Sequence, residues 1–301
     1  MKLKTLLMGA AASLALAPAA MAERGSDGAL NIIMWQAPST MNPYLSGGTK
    51  ELIASSMVLE PLASMTPEGE HVPRLAAEIP TLENGGIAED LKSVTWKLQD
   101  GLKWSDGTPV TSADVVFSGQ YCMDPEGGCS QLAKFEGIES IEAVDDLTVK
   151  INFTEPMPDP YSAFVGANGP IIQKAQFENC LGANAPTCTD QNFNPIGTGP
   201  FRVTQFLTND VITFEANPEY RDPAKPAFAT ATIKGGGDAA AAARSVLETG
   251  EYDYAWNTQL SPDVIAGMEQ MGRGKVSAVA SGDIEFIILN TTDPWTEVDG
   301  E

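Results

Sequence analysis

Short apolar runs separated by Gly, Pro, Asn and Asp alternate along this chain with longer runs at helical spacing. Leu30–Trp35 is largely apolar and runs into Gln36–Tyr44, which holds two prolines and an Asn-Pro step, so the pattern predicts a buried strand entering a loop. Glu51–Leu62 is amphipathic and predicts a helix, and Val94–Leu98 alternates as a strand. Ile138–Val144 and Leu147–Phe153 predict a hairpin turning at Asp145-Asp146. Phe201–Phe206 and Val211–Ala216 predict a second one over Thr208-Asn209-Asp210. Tyr161–Val165 is expected to open a helix after the loop Met157–Pro160. Further helices are predicted over Ala239–Glu248, stopping before Gly250, and over Pro262–Met271, with a last strand at Ile284–Asn290. Strands and helices interleave throughout, which selects an α/β or α+β class over all-α or all-β.

One stretch is denser in local signals than any other. Between Trp96 and Phe117, the turn dipeptides Asp100-Gly101 and Asp106-Gly107 flank a short run, Leu102-Lys103-Trp104, expected to be extended. Thr111-Ser-Ala-Asp114 has the hydroxyl-to-carboxylate spacing of a capping box and opens a helix carrying Val115, Val116 and Phe117. On this reading Asp100, Asp106 and Asp114 are turn and cap residues, and Trp96 and Trp104 are core.

Residues 1–22 carry the marks of a secretory leader: Lys2 and Lys4, an apolar Leu6–Leu16, and a small-x-small cleavage pattern at Ala20-Met21-Ala22. The apolar part is broken by Ser13 and Pro18 and is too short to span a bilayer comfortably. The net charge is −22, from 18 basic and 40 acidic residues, and loss of Lys2 and Lys4 takes it to −24. Nucleic acid and anionic membrane are therefore poor partners. Four cysteines form two close pairs, Cys122/Cys129 and Cys180/Cys188. Three pairings are possible; an oxidising compartment, an even count and proximity point to the two local disulfides. A metal site is disfavoured, because His71 is the only histidine and neither pair has CxxC spacing.

The Trp96–Phe117 string closely resembles the signature of the family 5 extracellular solute-binding proteins, the dipeptide, oligopeptide and nickel receptors of ABC importers. Other segments resemble the family in its own order. Met41-Asn-Pro-Tyr44 stands at a turn after the first strand, and Pro73-Arg-Leu-Ala-Ala-Glu78 is followed by Ile79 and Pro80 where the family carries Ser-Trp. Pro195-Ile-Gly-Thr-Gly-Pro-Phe201 is similar to its Gly-Thr-Gly-Pro-Tyr motif. Asn217-Pro-Glu-Tyr220, ahead of Lys225-Pro226, resembles its Asn-Pro-x-Tyr-Trp element with Arg221 in place of Trp. Val246–Asp253 resembles the Gly-Glu-x-Asp turn, and Leu289-Asn290 the end of a strand.

The resemblance implies a type II periplasmic binding protein fold, a two-lobed clamp whose first lobe carries an inserted small domain. Residues 23–54 and 190–282 would form the main lobe, 55–189 the insert, and 283–301 the start of the second lobe. The chain ends where relatives continue, so an N-terminal fragment lacking that lobe is expected. The resemblance also implies a monomeric periplasmic receptor, not an enzyme and without cofactor, that passes a captured solute to an ABC permease. Peptide leads among the solutes, ahead of nickel or a chelate and oligosaccharide, and service to a chemoreceptor is a variant role. The ligand-contacting residues it implies are Ser46, Gly47, Gly48 and Thr49 after Asn42-Pro43, and Trp256 with Asn257. A secreted hydrolase built on Glu142, Asp145, Asp146 and Glu155 is the rival class. It is disfavoured because there is no Gly-x-Ser-x-Gly elbow and one histidine leaves no triad.

Overall fold

A computed structural model describes residues 27–278, together with Ile287 and Leu289. The leader at 1–22, the strand predicted over Ile284–Asn290 and the second-lobe start expected from 283 fall outside that continuous span. The strands are β1 (Ala29–Met34), β2 (Ala63–Met65), β3 (His71–Pro73), β4 (Ser93–Lys97), β5 (Ile138–Asp145), β6 (Thr148–Phe153), β7 (Phe201–Leu207), β8 (Val211–Ala216), β9 (Thr230–Gly235) and β10 (Tyr254–Trp256). The helices are α1 (Thr49–Ser55), α2 (Ser112–Met123), α3 (Lys174–Phe177), α4 (Thr189–Phe193), α5 (Ala239–Leu247) and α6 (Pro262–Glu269). None of the described helices is long and apolar enough to cross a membrane.

Five strands form one mixed sheet in the order β10-β1-β9-β8-β7. β1 lies parallel to both neighbours, while β8 runs antiparallel to both β7 and β9. Successive side chains of a strand point to opposite faces, and β1 shows the result. Ile33 packs with Ala242 and Val246 of α5. Met34 faces the other way, into a core with Met41, Ala54, Val58, Phe201, Ile212, Phe214 and Ile233. Asp238 caps α5 by accepting the Ala241 amide at 2.7 Å.

A second, larger core lies between α2 and the three-stranded sheet β4-β6-β5. Trp96 and Trp104 are buried in it, as their place in the sequence predicts. Removing a ring of that size from water is worth roughly 4–6 kcal/mol. The capping box forms as expected: Asp114 Oδ2 accepts the Thr111 amide at 2.9 Å. The same carboxylate accepts Trp104 Nε1 at 3.4 Å and the Lys174 amide at 2.9 Å, so one side chain joins α2, the Trp104 turn and α3.

Three predicted elements differ. The helix expected over Glu51–Leu62 is α1, Thr49–Ser55, and stops about two turns early. Ser55 and Ser56 turn their hydroxyls back onto the Leu52 carbonyl, competing with the helix ladder. Beyond them, the carbonyls of Met57, Val58 and Glu60 are taken by the amides of Phe201, Gly199 and Ile171. The helix expected from Tyr161 does not form. Phe164 sits at φ 60°, and its carbonyl accepts the Leu62 amide, which ties the segment to Pro61–Ala63. Leu102–Trp104 makes a single bridge, Lys103 to Pro109, in place of a strand. The short strands β2, β3 and β10, and β9 with its alternating Ala231 and Ile233, were not anticipated.

Candidate functional site

β1, β9 and β10 are parallel and adjacent, so Met34, Gly235 and Trp256 end side by side. Beyond the carboxyl ends of parallel strands the chain turns away into loops, and the crevice there is the usual ligand position in open sheets. Gly235 has no room for a side chain, since a Cβ would lie 2.8 Å from that of Ala37 in the segment leaving β1. Trp256 is half-buried, its ring packed on the core that holds Met34 and Ala54. Asn257 is exposed at φ 54°, a conformation Asn tolerates better than most residues, and it turns the chain just past the strand end.

Ser46–Gly48 lead into α1, whose first residue is Thr49; Gly47 and Thr49 are exposed and Ser46 and Gly48 partly buried. Ser46 Oγ accepts the Gly48 amide at 3.1 Å. Beneath the loop lies the buried carboxylate of Glu51, whose Oε1 accepts both the amide and the hydroxyl of Ser39 at 2.8 Å and pairs with Lys50. Ser39 belongs to the segment leaving β1, so Glu51 ties the Ser46–Thr49 loop to the sheet edge that carries Trp256. Trp35 Nε1 and Glu51 Oε2 are buried without a hydrogen-bond partner among the described residues.

Burial pushes the Glu51 carboxyl up, but Lys50 and the two Ser39 hydrogen bonds outweigh it and hold it below the ordinary carboxylate range. A depressed carboxyl contributes stability above its unfolded-state pKa and loses it as pH falls through the folded value. Melting temperature is therefore expected to fall as the pH drops through and below the ordinary carboxylate range, and Glu51→Gln to show a smaller fall than the parent while starting lower at neutral pH. Parallel acid slopes in melts of the two proteins would remove Glu51 from the explanation.

Two disulfides flank this region. Cys122–Cys129 and Cys180–Cys188 are both local pairs, with Cα separations of 5.1 and 5.9 Å. Just after the first, Ser130 donates its amide to the Tyr44 carbonyl at 2.8 Å. Gln131 Nε2 reaches the carbonyls of Pro43 and Ser46 at 3.4 and 3.3 Å. After the second, the Asn192 carbonyl accepts the Met41 amide at 2.9 Å and the Thr40 hydroxyl at 3.1 Å. Asn192 Oδ1 accepts Asn42 Nδ2 at 2.9 Å, and the same Nδ2 reaches the Tyr121 hydroxyl at 3.0 Å. Burial pushes Tyr121 up to about 12 against the opposing pull of Asn42, so the phenol stays neutral at physiological pH.

Reasoning from sequence missed Ser39, Glu51, Gln131 and Asn192. The available signal was position: Gln131 follows Cys129 by two residues and Asn192 follows Cys188 by four. The carboxylates weighed for hydrolysis do not converge. Asp145 is exposed at the β5–β6 turn, where the Leu147 amide donates to it at 2.9 Å and lowers its carboxyl. Glu142 Oε1 is engaged with Ser140 and Asn152 on the open sheet face.

The family model described as bacterial extracellular solute-binding proteins, family 5 Middle, matches residues 70–298, about three quarters of the sequence. The chain belongs to this family. Protein XP55 of Streptomyces lividans is 27% identical over 268 residues, covering 88% of this chain and 45% of that protein. The oligopeptide-binding protein OppA of Bacillus subtilis is 26% identical over 216 residues, covering 65% of this chain and 37% of OppA. The crystal structure of the ABC transporter substrate-binding protein CtaP from Listeria monocytogenes superposes with a TM-score of 0.68 at 28% identity, over 81% of this chain and 46% of CtaP. The family 5 chain thus spans less than half the length of each of these proteins, and it shares the type II periplasmic binding fold of CtaP over the superposed part. Trp256 and Asn257 fall inside the family match, whereas Ser46–Thr49 precede it.

Proposed function

We propose that this chain supplies the first lobe of a solute receptor for an ABC importer, exported through the leader at 1–22 and working in the periplasm. Peptide is the leading solute. The observation that carries the reading is the edge where β1, β9 and β10 end together, bordered by Trp256 and Asn257 and tied through Ser39 and Glu51 to the Ser46–Thr49 loop. Adjacent glycines at 47 and 48 let a ligand backbone approach closely, in the manner of an added strand. Trp256 offers an apolar face to a ligand side chain. The name of the Bacillus subtilis relative supports peptide over nickel, chelates or oligosaccharide. The two separate hydrophobic cores support a main lobe of 23–54 with 190–282 and an inserted unit of 55–189. A second lobe would close over the ligand, and the closed form would dock on a permease.

Thermal-shift screening of the purified protein against di- to pentapeptides, nickel salts and oligosaccharides tests this. A ligand that binds only the native state raises stability by about 2.7 kcal/mol at a hundredfold excess over Kd. A shift confined to peptides is expected. A shift with nickel or oligosaccharide alone would replace the solute, and no shift from the folded protein would leave the fold standing and return the solute to unknown.

A further inference from the structure

Two residues far from each other in sequence grip the chain between Thr40 and Ser46, on its way into Gly47-Gly48, and each follows a disulfide. We infer that Gln131 and Asn192 are positioning residues that hold this loop in one conformation before ligand arrives; the inference deepens the receptor reading above and rests on it.

Gln131 is 9% exposed, and its amide spans the two carbonyls at the base of the loop, Pro43 and Ser46. Asn192 is 4% exposed and takes three donors from Thr40, Met41 and Asn42, the stretch that feeds the loop from β1. Its own Nδ2 donates to the Ala185 carbonyl at 2.8 Å, inside the loop closed by Cys180–Cys188, and its backbone amide to Cys188 at 2.9 Å. Cys122 is anchored in buried α2, so the first disulfide fixes where Ser130 and Gln131 begin. The two cross-linked loops also abut, because a Cβ on Gly182 would lie 3.3 Å from the Asp124 carboxylate. A loop with two consecutive glycines loses much freedom when ordered. Clamps that order it in advance remove that cost from binding, which gives the placement of Gln131 and Asn192 a use that core packing does not require.

The test is amide hydrogen exchange on the whole protein, comparing the segment 43–51 with β6, in the parent, in Gln131→Met and in the same-sized Gln131→Glu. The near-isosteric Asn192→Leu variant, which removes the side-chain bonds to Asn42 and Ala185, addresses Asn192. Binding of trialanine is measured alongside. Exchange of 43–51 should rise about fivefold in each variant with β6 unchanged, the size expected for one lost hydrogen bond, and trialanine affinity should fall by about as much. Unchanged exchange at 43–51 overturns the proposal. So does exchange that rises equally in β6, which is what general destabilisation gives, and so does a local rise that leaves trialanine affinity intact. Failure of the parent to bind trialanine counts against the peptide reading, and the exchange pattern alone then decides the positioning role.

Discussion

Gly197→Ala is expected to destabilise the protein by about 3 kcal/mol or more, enough to lower a melting temperature by roughly 5 °C in a protein of this size. The Pro195–Phe201 loop is stitched to the end of the α1 segment by backbone bonds. Gly199 donates to the Val58 carbonyl at 2.8 Å and Phe201 to Met57 at 3.1 Å, while the Gly197 carbonyl accepts the Ser105 amide at 2.9 Å. A Cβ on Gly197 would overlap the Val58 carbonyl oxygen outright. That neighbour is backbone and already accepts the Gly199 amide, so relief requires the two segments to separate and the bonds to break. At Gly199 the added Cβ would lie 2.8 Å from the carbonyl oxygens of Met57 and Val58, and alanine there should cost less than at Gly197. Thermal melts of the two variants beside the parent check both claims; a Gly197→Ala protein melting within about 2 °C of the parent would show that the loop shifts freely.

Arg221→Ala is expected to cost about 2–3 kcal/mol. Arg221 forms a two-pronged pair with Glu60, Nη1 to Oε2 at 2.6 Å and Nη2 to Oε1 at 2.8 Å, and Thr198 donates to the same carboxylate at 3.1 Å. The Glu60 side chain is only 9% exposed, so removing the guanidinium leaves a carboxylate out of water with a single hydroxyl donor. The Arg221 side chain is itself 24% exposed, which places the estimate below that for a fully buried pair. Hydrogen bonding to Glu60 holds the guanidinium more firmly protonated still. The pair joins the segment after α1 to the β8–β9 connection, so it braces one core against the other. Combining Glu60→Leu with Arg221→Leu should recover much of the loss, because no charge is then stranded. Chemical denaturation of the two single variants and the double would read a coupling above about 1 kcal/mol; additive losses would reduce the pair to an exposed contact.

Arg221 also shows where reasoning from sequence stopped. It was visible as the residue standing where the resembling family carries Trp, but its partner at Glu60 lies 161 residues away and no local pattern points to it. The same limit applies at the candidate site. Asn42-Pro43 and the following glycines marked a loop, and the loop is there, yet its supports are 85 residues away for Gln131 to Ser46 and 150 for Asn42 to Asn192. Pairing of the four cysteines was legible because short loops close readily and the alternatives span longer stretches of chain.

The amino-acid sequence by itself determined the elements whose signals are local. The hairpins β5–β6 and β7–β8 followed from alternation and turn residues, α2 from its capping box, and α5 from helical spacing that stops before Gly250. Tertiary structure decided the rest. It cut α1 short because Met57, Val58 and Glu60 give their carbonyls to distant strands and loops. It drew Phe164 out of a helix because that backbone bonds to Leu62 and Ala63. It also brought Ser39, Glu51, Gln131 and Asn192 around one loop. The physical reason is common to all three: a backbone or amide group withdrawn from water must find a partner, and whether that partner is four residues away or a hundred is set by which surfaces the cores press together.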